Sequence, residues 1–231
     1  MAQGPPGTGS ESPDDLTANV YDVQTGPPHE GDTGEGILIN TSRGPIPGII
    51  NRGDQGGERA ILWASGARGG YSGPAHGIYA DLAAEFTSQG ITSLRLNYRQ
   101  PGVLPESVLD VMCGLSVLKG IGCSRVTLVG HSFGGAVVIS AGGLSDQVSA
   151  VVSLSPQTHG AQGAGEVSPR PLLIVHGLED TRLPPYCATQ IHQWAREPKE
   201  LVLYPGAEHG LRECDGELRE LLRRWIPEKL G

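Results

Sequence analysis

The stretch RVTLVGHSFGGAVVIS, residues 125–140, sets a mostly apolar run, Val126 to Val129, against a second one, Ala136 to Ile139. Between them stand Gly130, His131, Ser132, Phe133, Gly134 and Gly135. The first run reads as a buried strand and the second as a helix. A turn this sharp brings strand and helix backbones close together, and the glycines remove side chains that would collide there. The Ser132 hydroxyl is then held above a sheet edge, near the positive end of the new helix. With 35 glycines in 231 residues, G-x-S-x-G arises easily by chance, so the context of the motif carries its weight. A glycine-rich packing turn with a bystander serine is the alternative reading.

That context is regular alternation. After GILINTS and IPGIIN, which read as a hairpin or meander around Arg43-Gly44, come the strands RAILWAS, ITSLRLNY, RVTLVG, VSAVVSLS, PLLIVHG and ELVLYPG. Helical patterns separate most of them: Ile78, Leu82, Ala83 and Phe86, then Val108, Met112, Leu115 and Leu118, then residues 133–143, then 184–197. An amphipathic helix through Leu218, Leu221, Leu222 and Trp225 closes the chain. Nearly all-apolar strands alternating with helices predict a mostly parallel sheet of about eight strands, covered by helices on both faces. In such sheets ligands bind beyond the carboxyl ends of the strands, so the residues just after each strand are the ones to examine.

A serine hydroxyl needs a base to become a nucleophile, and the base needs an orienting carboxylate. After PLLIVHG come Leu178, Glu179, Asp180, Thr181 and Arg182; after ELVLYPG come Ala207, Glu208, His209 and Gly210. The chain order Ser132, Asp180, His209 is that of an α/β-hydrolase triad. Glu179 is the alternative acid, and either carboxylate has the competing role of a helix cap before Pro184. His131 is expected to point away from Ser132 and pack under the turn, and His176 to be a satisfied core histidine. His76, His159 and His192 have no acid signal nearby, and His29 lies in the N-terminal segment.

The stretches GHSFGG, HGLEDTRLP and GAEHGL, with LWASGARGG, resemble the α/β-hydrolase superfamily. The match is to its dienelactone-hydrolase-like, bile-acid-acyltransferase-like or small-esterase type without a cap domain. The resemblance covers residues 36 to about 230 and implies an α/β-hydrolase fold with Ser132 as nucleophile, Asp180 as acid and His209 as base. Dienelactone hydrolases proper carry cysteine at the nucleophile position, so Ser132 argues against that particular activity. The oxyanion hole requires two backbone N–H groups. One is expected at Phe133 and the other at Ala67, with Arg68 next, because Ser65-Gly66-Ala67 stands where relatives often show H-G-x. A flexible turn is the bland reading of GARGG, and Arg68 is also a candidate contact for a substrate carboxylate.

The expected activity is a serine carboxylesterase acting on short-chain esters through an acyl-enzyme, with no metal or organic cofactor. An amidase, acyl-peptidase or thioesterase with the same triad is one alternative, and a non-catalytic binding module another. Only about fifteen residues, PQTHGAQGAGEVSPR, separate two strands where a lid would insert, so no cap domain is expected. The net charge of -8 and pI of about 5.3 disfavour nucleic acid and anionic membrane as partners. No apolar run is long enough to span a bilayer. The partner is expected to be a small-molecule ester, the state a monomer or homodimer, and the location cytoplasmic, since residues 1–15 carry no signal-peptide pattern. Residues 1–35, rich in Gly, Pro, Ser and acids, are expected as a flexible tail, and 36–231 as the catalytic domain. Cys113, Cys123, Cys187 and Cys214 are expected as reduced thiols. Whether Cys187 and Cys214 pair is left open by the sequence, since each follows a site segment.

Overall fold

A computed structural model describes residues 16–27, 31–54 and 57–231. Among the described residues nine strands form one sheet in the order β1-β2-β3-β5-β4-β6-β7-β8-β9. They are β1 (Val20–Gly26), β2 (Glu35–Thr41), β3 (Ile46–Asn51), β4 (Arg59–Ala64), β5 (Thr92–Leu96), β6 (Arg125–His131), β7 (Val148–Leu154), β8 (Leu172–Gly177) and β9 (Lys199–Tyr204). The first three are antiparallel neighbours, and β3 runs antiparallel to β5. From β5 through β9 every pairing is parallel. The parallel part reads as continuous apolar sequence because both of its faces are covered.

Five helices cover it: α1 (Ile78–Glu85), α2 (Leu104–Gly120), α3 (Phe133–Gly142), α4 (Tyr186–Trp194) and α5 (Asp215–Leu230). Two apolar clusters lie on opposite faces. In one, Leu62, Leu94 and Leu128 meet Val111 and Leu118 of α2, Val137 of α3 and Ile191 of α4. In the other, Ile61, Val129 and Val152 meet Leu82 of α1 and Leu218, Leu222 and Trp225 of α5.

The nine strands fit the expected mostly parallel sheet of about eight, and one of them falls inside the expected tail: Val20–Gly26 pairs with β2 as the edge strand β1. Its side chains are exposed along almost the whole strand, so it carries no hydrophobic signature. Of the expected tail, residues 1–15 and 28–30 lie outside the described residues. All four cysteines are buried and free, so Cys187 and Cys214 are not bridged.

The segment between β7 and β8 contains one short 3-10 turn, Gln162–Glu166. Ala161, Ala164 and Val167 anchor it in the core, and no cap domain rises from it. Among the described residues no helix is long and apolar enough to cross a membrane. The strand order places β4 between β5 and β6. The loops after β4 and β6 therefore diverge around one crevice at the carboxyl edge of the sheet, where ligands of such sheets bind.

Candidate active site

Ser132 occupies the single residue between β6 and α3, with φ 58° and ψ -117°. Positive φ is costly for a residue with a side chain, and the surroundings enforce it. The Ser132 N–H donates to the Leu154 carbonyl at 2.8 Å, and Gly135 N–H donates back to the Ser132 carbonyl at 3.0 Å. A Cβ on Gly130 would collide with the Gly134 carbonyl, and one on Gly134 would collide with the carbonyls of Ser65 and Ala64. Glycine is required at both positions by close backbone approach.

His209 lies between Ser132 and Asp180. Its Nε2 is 3.0 Å from Ser132 Oγ, and its Nδ1 is 2.8 Å from Asp180 Oδ2. An ionised carboxylate only accepts, so Nδ1 carries the proton and the Nε2 lone pair faces the serine hydroxyl. Burial by itself would raise the Asp180 pKa. The N–H groups of Leu183 and Arg182 and the His209 ring outweigh that and hold it below the ordinary value. Arg182 and Leu183 donate to Oδ1 at 2.9 and 2.8 Å. Glu179, the alternative acid, is exposed and engages Ala207 through its backbone.

Two further histidines complete the setting. His176 is fully buried, and its Nε2 lies 2.9 Å from the Leu183 carbonyl and 3.1 Å from Asp180 Oδ2. Both partners accept, so Nε2 carries the proton, while Nδ1 is without a partner among the described residues. Burial lowers its pKa and favours the neutral ring. His131 was expected to pack under the turn; it is half-buried, lines the space beside His209 and donates from Nε2 to the His209 carbonyl at 3.0 Å. Its ring is 5.0 Å from that of His209, and burial pushes its pKa down to about 4. Sequence reasoning assigned neither residue to the site. The signal for His176 was available in its spacing of four residues before Asp180 at a strand end.

The loops bearing acid and base are tied together. Glu208 accepts from Thr181 N–H at 3.0 Å and from its hydroxyl, and Glu179 N–H donates to the Ala207 carbonyl at 3.0 Å. A Cβ on Gly177 would strike the Ala207 carbonyl, so the two loops meet only because residue 177 is glycine.

The crevice in front of Ser132 is a cavity of about 480 Å³, walled by Ser65–Gly73, Gln157, Arg182 and Leu183. Ala67 and Arg68 are exposed on its rim, and a Cβ on Gly66 would lie 3.9 Å from Ser132 Cβ. Phe133 is the first residue of α3, where N–H groups have no partner within the helix. Its ring is buried edge-on against Tyr98 at 5.8 Å. Asn97, just after β5, accepts from Gly70 N–H at 2.9 Å and fixes the far end of the loop that carries Ala67. Among the described residues no cluster of three or more His, Cys, Asp or Glu is arranged to hold a metal ion.

The family model for the dienelactone hydrolase family matches residues 70–220. The uncharacterized protein YfhR of Escherichia coli is 26% identical over 208 residues, covering 76% of this chain and 68% of YfhR. Among solved structures, Est1E from Butyrivibrio proteoclasticus superposes with a TM-score of 0.70 at 16% identity, over 85% of this chain and 99% of its own. A serine hydrolase homologue from Coxiella burnetii gives 0.69 at 23%, over 82% and 95%. XC6422 from Xanthomonas campestris, described as a serine hydrolase without lid, gives 0.64 at 18%, over 87% and 99%. At these identities the structures speak for the fold alone.

Proposed function

This chain belongs to the dienelactone hydrolase family, and from that premise we propose that it is a serine carboxylesterase acting on short-chain carboxylic esters. The observation that carries the reading is the continuous chain of contacts Ser132 Oγ, His209, Asp180, at 3.0 and 2.8 Å. In this reading His209 takes the hydroxyl proton as Ser132 Oγ attacks the ester carbonyl. The N–H groups of Phe133 and Ala67 stabilise the developing oxyanion. The C–O bond then breaks, and the alcohol departs with the proton from His209. Water, activated by the same ring, releases the acid and restores Ser132. Asp180 keeps His209 in the required tautomer and offsets its transient positive charge.

The open crevice, without a cap domain, supports modest acyl groups and argues against activation at a lipid interface. Arg68, exposed on the rim, is our candidate contact for a substrate carboxylate. Initial rates on p-nitrophenyl acetate, butyrate, octanoate and palmitate, beside Ser132→Ala, test the reading. Rates are expected to fall with chain length, and Ser132→Ala to lose about four orders of magnitude or more in kcat. Turnover that survives in Ser132→Ala would refute it.

A further inference from the structure

A second, larger cavity of about 610 Å³ meets the first along Ser72, Gly73, His131, Arg182 and His209. Its wall includes His209 and not Ser132. Building on the esterase reading, we propose that this cavity is the subsite for the alcohol half of the ester, and that it takes a neutral, hydroxyl-rich alcohol of the sugar or polyol type.

The position follows from proton transfer. When the acyl C–O bond breaks, its electron pair goes to the departing oxygen, which takes the proton that His209 received from Ser132. The acyl group stays on Ser132 Oγ. The alcohol therefore leaves from the His209 side, and the room on that side is this cavity. Its volume lies in the usual range for small-molecule sites.

The class of alcohol follows from the lining. The wall contains His76, Thr181, Arg182, Glu208, Arg212 and Glu213, and no large aliphatic or aromatic side chain. An alkyl alcohol would gain little there. Arg182 and Arg212 form no ion pair among the described residues, so their N–H groups are available as donors. Glu208 and Glu213 each accept from the backbone and retain further lone pairs. Two cations and two carboxylates largely cancel, which disfavours a strongly charged alcohol. Alternating donors and acceptors suit a ligand whose hydroxyls do both. The wall is also held under strain. Ala75 and His76 have φ of 47° and 57°, and Ala75 N–H donates across to the Gly210 carbonyl at 2.8 Å. Strain of this kind persists where the surroundings enforce it, and it clusters at ligand sites.

The test holds the acyl group constant and varies the alcohol. With wild-type protein, kcat/KM for glucose monoacetate is expected to exceed that for methoxyethyl acetate, a primary ester without hydroxyls, by about tenfold. In Arg212→Ala the ratio of the two is expected to fall about fivefold. A wild-type ratio near one, or no turnover of the sugar ester, overturns the alcohol subsite. Fluorophosphonate labelling of Ser132 in the same preparation separates the two failures. A labelled but indifferent enzyme keeps the esterase reading and loses the subsite, and an unlabelled, inactive protein loses both.

Discussion

His176 Nε2 stands 3.1 Å from Asp180 Oδ2, the oxygen that His209 Nδ1 reaches at 2.8 Å. Asp180 Oδ2 thus faces two imidazole nitrogens, accepting from His209 and lying beside His176, while Oδ1 receives two backbone N–H groups. His176 also bridges to the Leu183 carbonyl, so it fixes both the acid and the loop that carries it.

His176 is accordingly a positioning residue. His176→Phe removes the donor while keeping an aromatic ring in place. It is expected to lower kcat on p-nitrophenyl acetate about tenfold, as loss of an orienting partner does. KM should change little, because the ring does not line the crevice. Steady-state kinetics check this. A rise in KM with kcat intact would point to a general loosening of the site.

Gly177→Ala tests the close approach of the acid and base loops. The new Cβ strikes the Ala207 carbonyl, so backbone must move. Overpacking of this kind costs about 1–3 kcal/mol. The midpoint of urea unfolding should fall accordingly, and activity should fall further than stability because His209 and Asp180 are drawn apart. An unchanged midpoint would contradict the packing.

Asn97→Ala releases Gly70 N–H and with it the loop bearing Ala67. The proposed oxyanion contact from Ala67 N–H would exist only in the transition state, so kcat is expected to fall about tenfold and kcat/KM equally. Asn97→Asp, which retains an acceptor oxygen, should recover most of the loss. If both variants behave like wild type, the loop is held by other contacts.

Stability should depend on pH in a defined window. His131 has its pKa lowered from 6.5 to about 4 by burial. Between those values the unfolded chain binds a proton that the folded chain refuses. The His131 contribution is therefore complete above about pH 6.5 and is lost as pH falls toward about 4. His176, also lowered by burial, acts in the same direction. Asp180 adds a loss only below its ordinary 3.8. His131→Gln should flatten the slope of unfolding free energy against pH by up to about 1.4 kcal/mol per unit, measured by denaturant titration at several pH values. A slope equal to wild type would contradict a buried neutral His131.

Much of this arrangement is legible in sequence, and the exceptions have physical causes. Ser132, Asp180 and His209 each lie shortly after a strand with a short, mostly apolar run, so local pattern locates all three. The elbow glycines stand out for the same reason: the approach of Gly130 to Gly134 is a contact within five residues. β1 is invisible because Val20–Gly26 buries little on either face, and the pairing to β2 supplies its order. The share of His131 and His176 in the site is hidden because it rests on carbonyls and a carboxylate brought in by other loops. The left-handed turn at Ala75 and His76 is illegible too, since alanine does not favour positive φ and one histidine is a weak signal for it. Long-range contacts with Gly210 hold it there.

The central claim is that Ser132 is an activated nucleophile. Treatment with diisopropyl fluorophosphate followed by peptide mass spectrometry tests it most directly. One adduct is expected on the peptide containing Ser132, absent in Ser132→Ala and formed far more slowly in His209→Ala. No adduct, or an adduct at another residue with Ser132 unmodified, would contradict it.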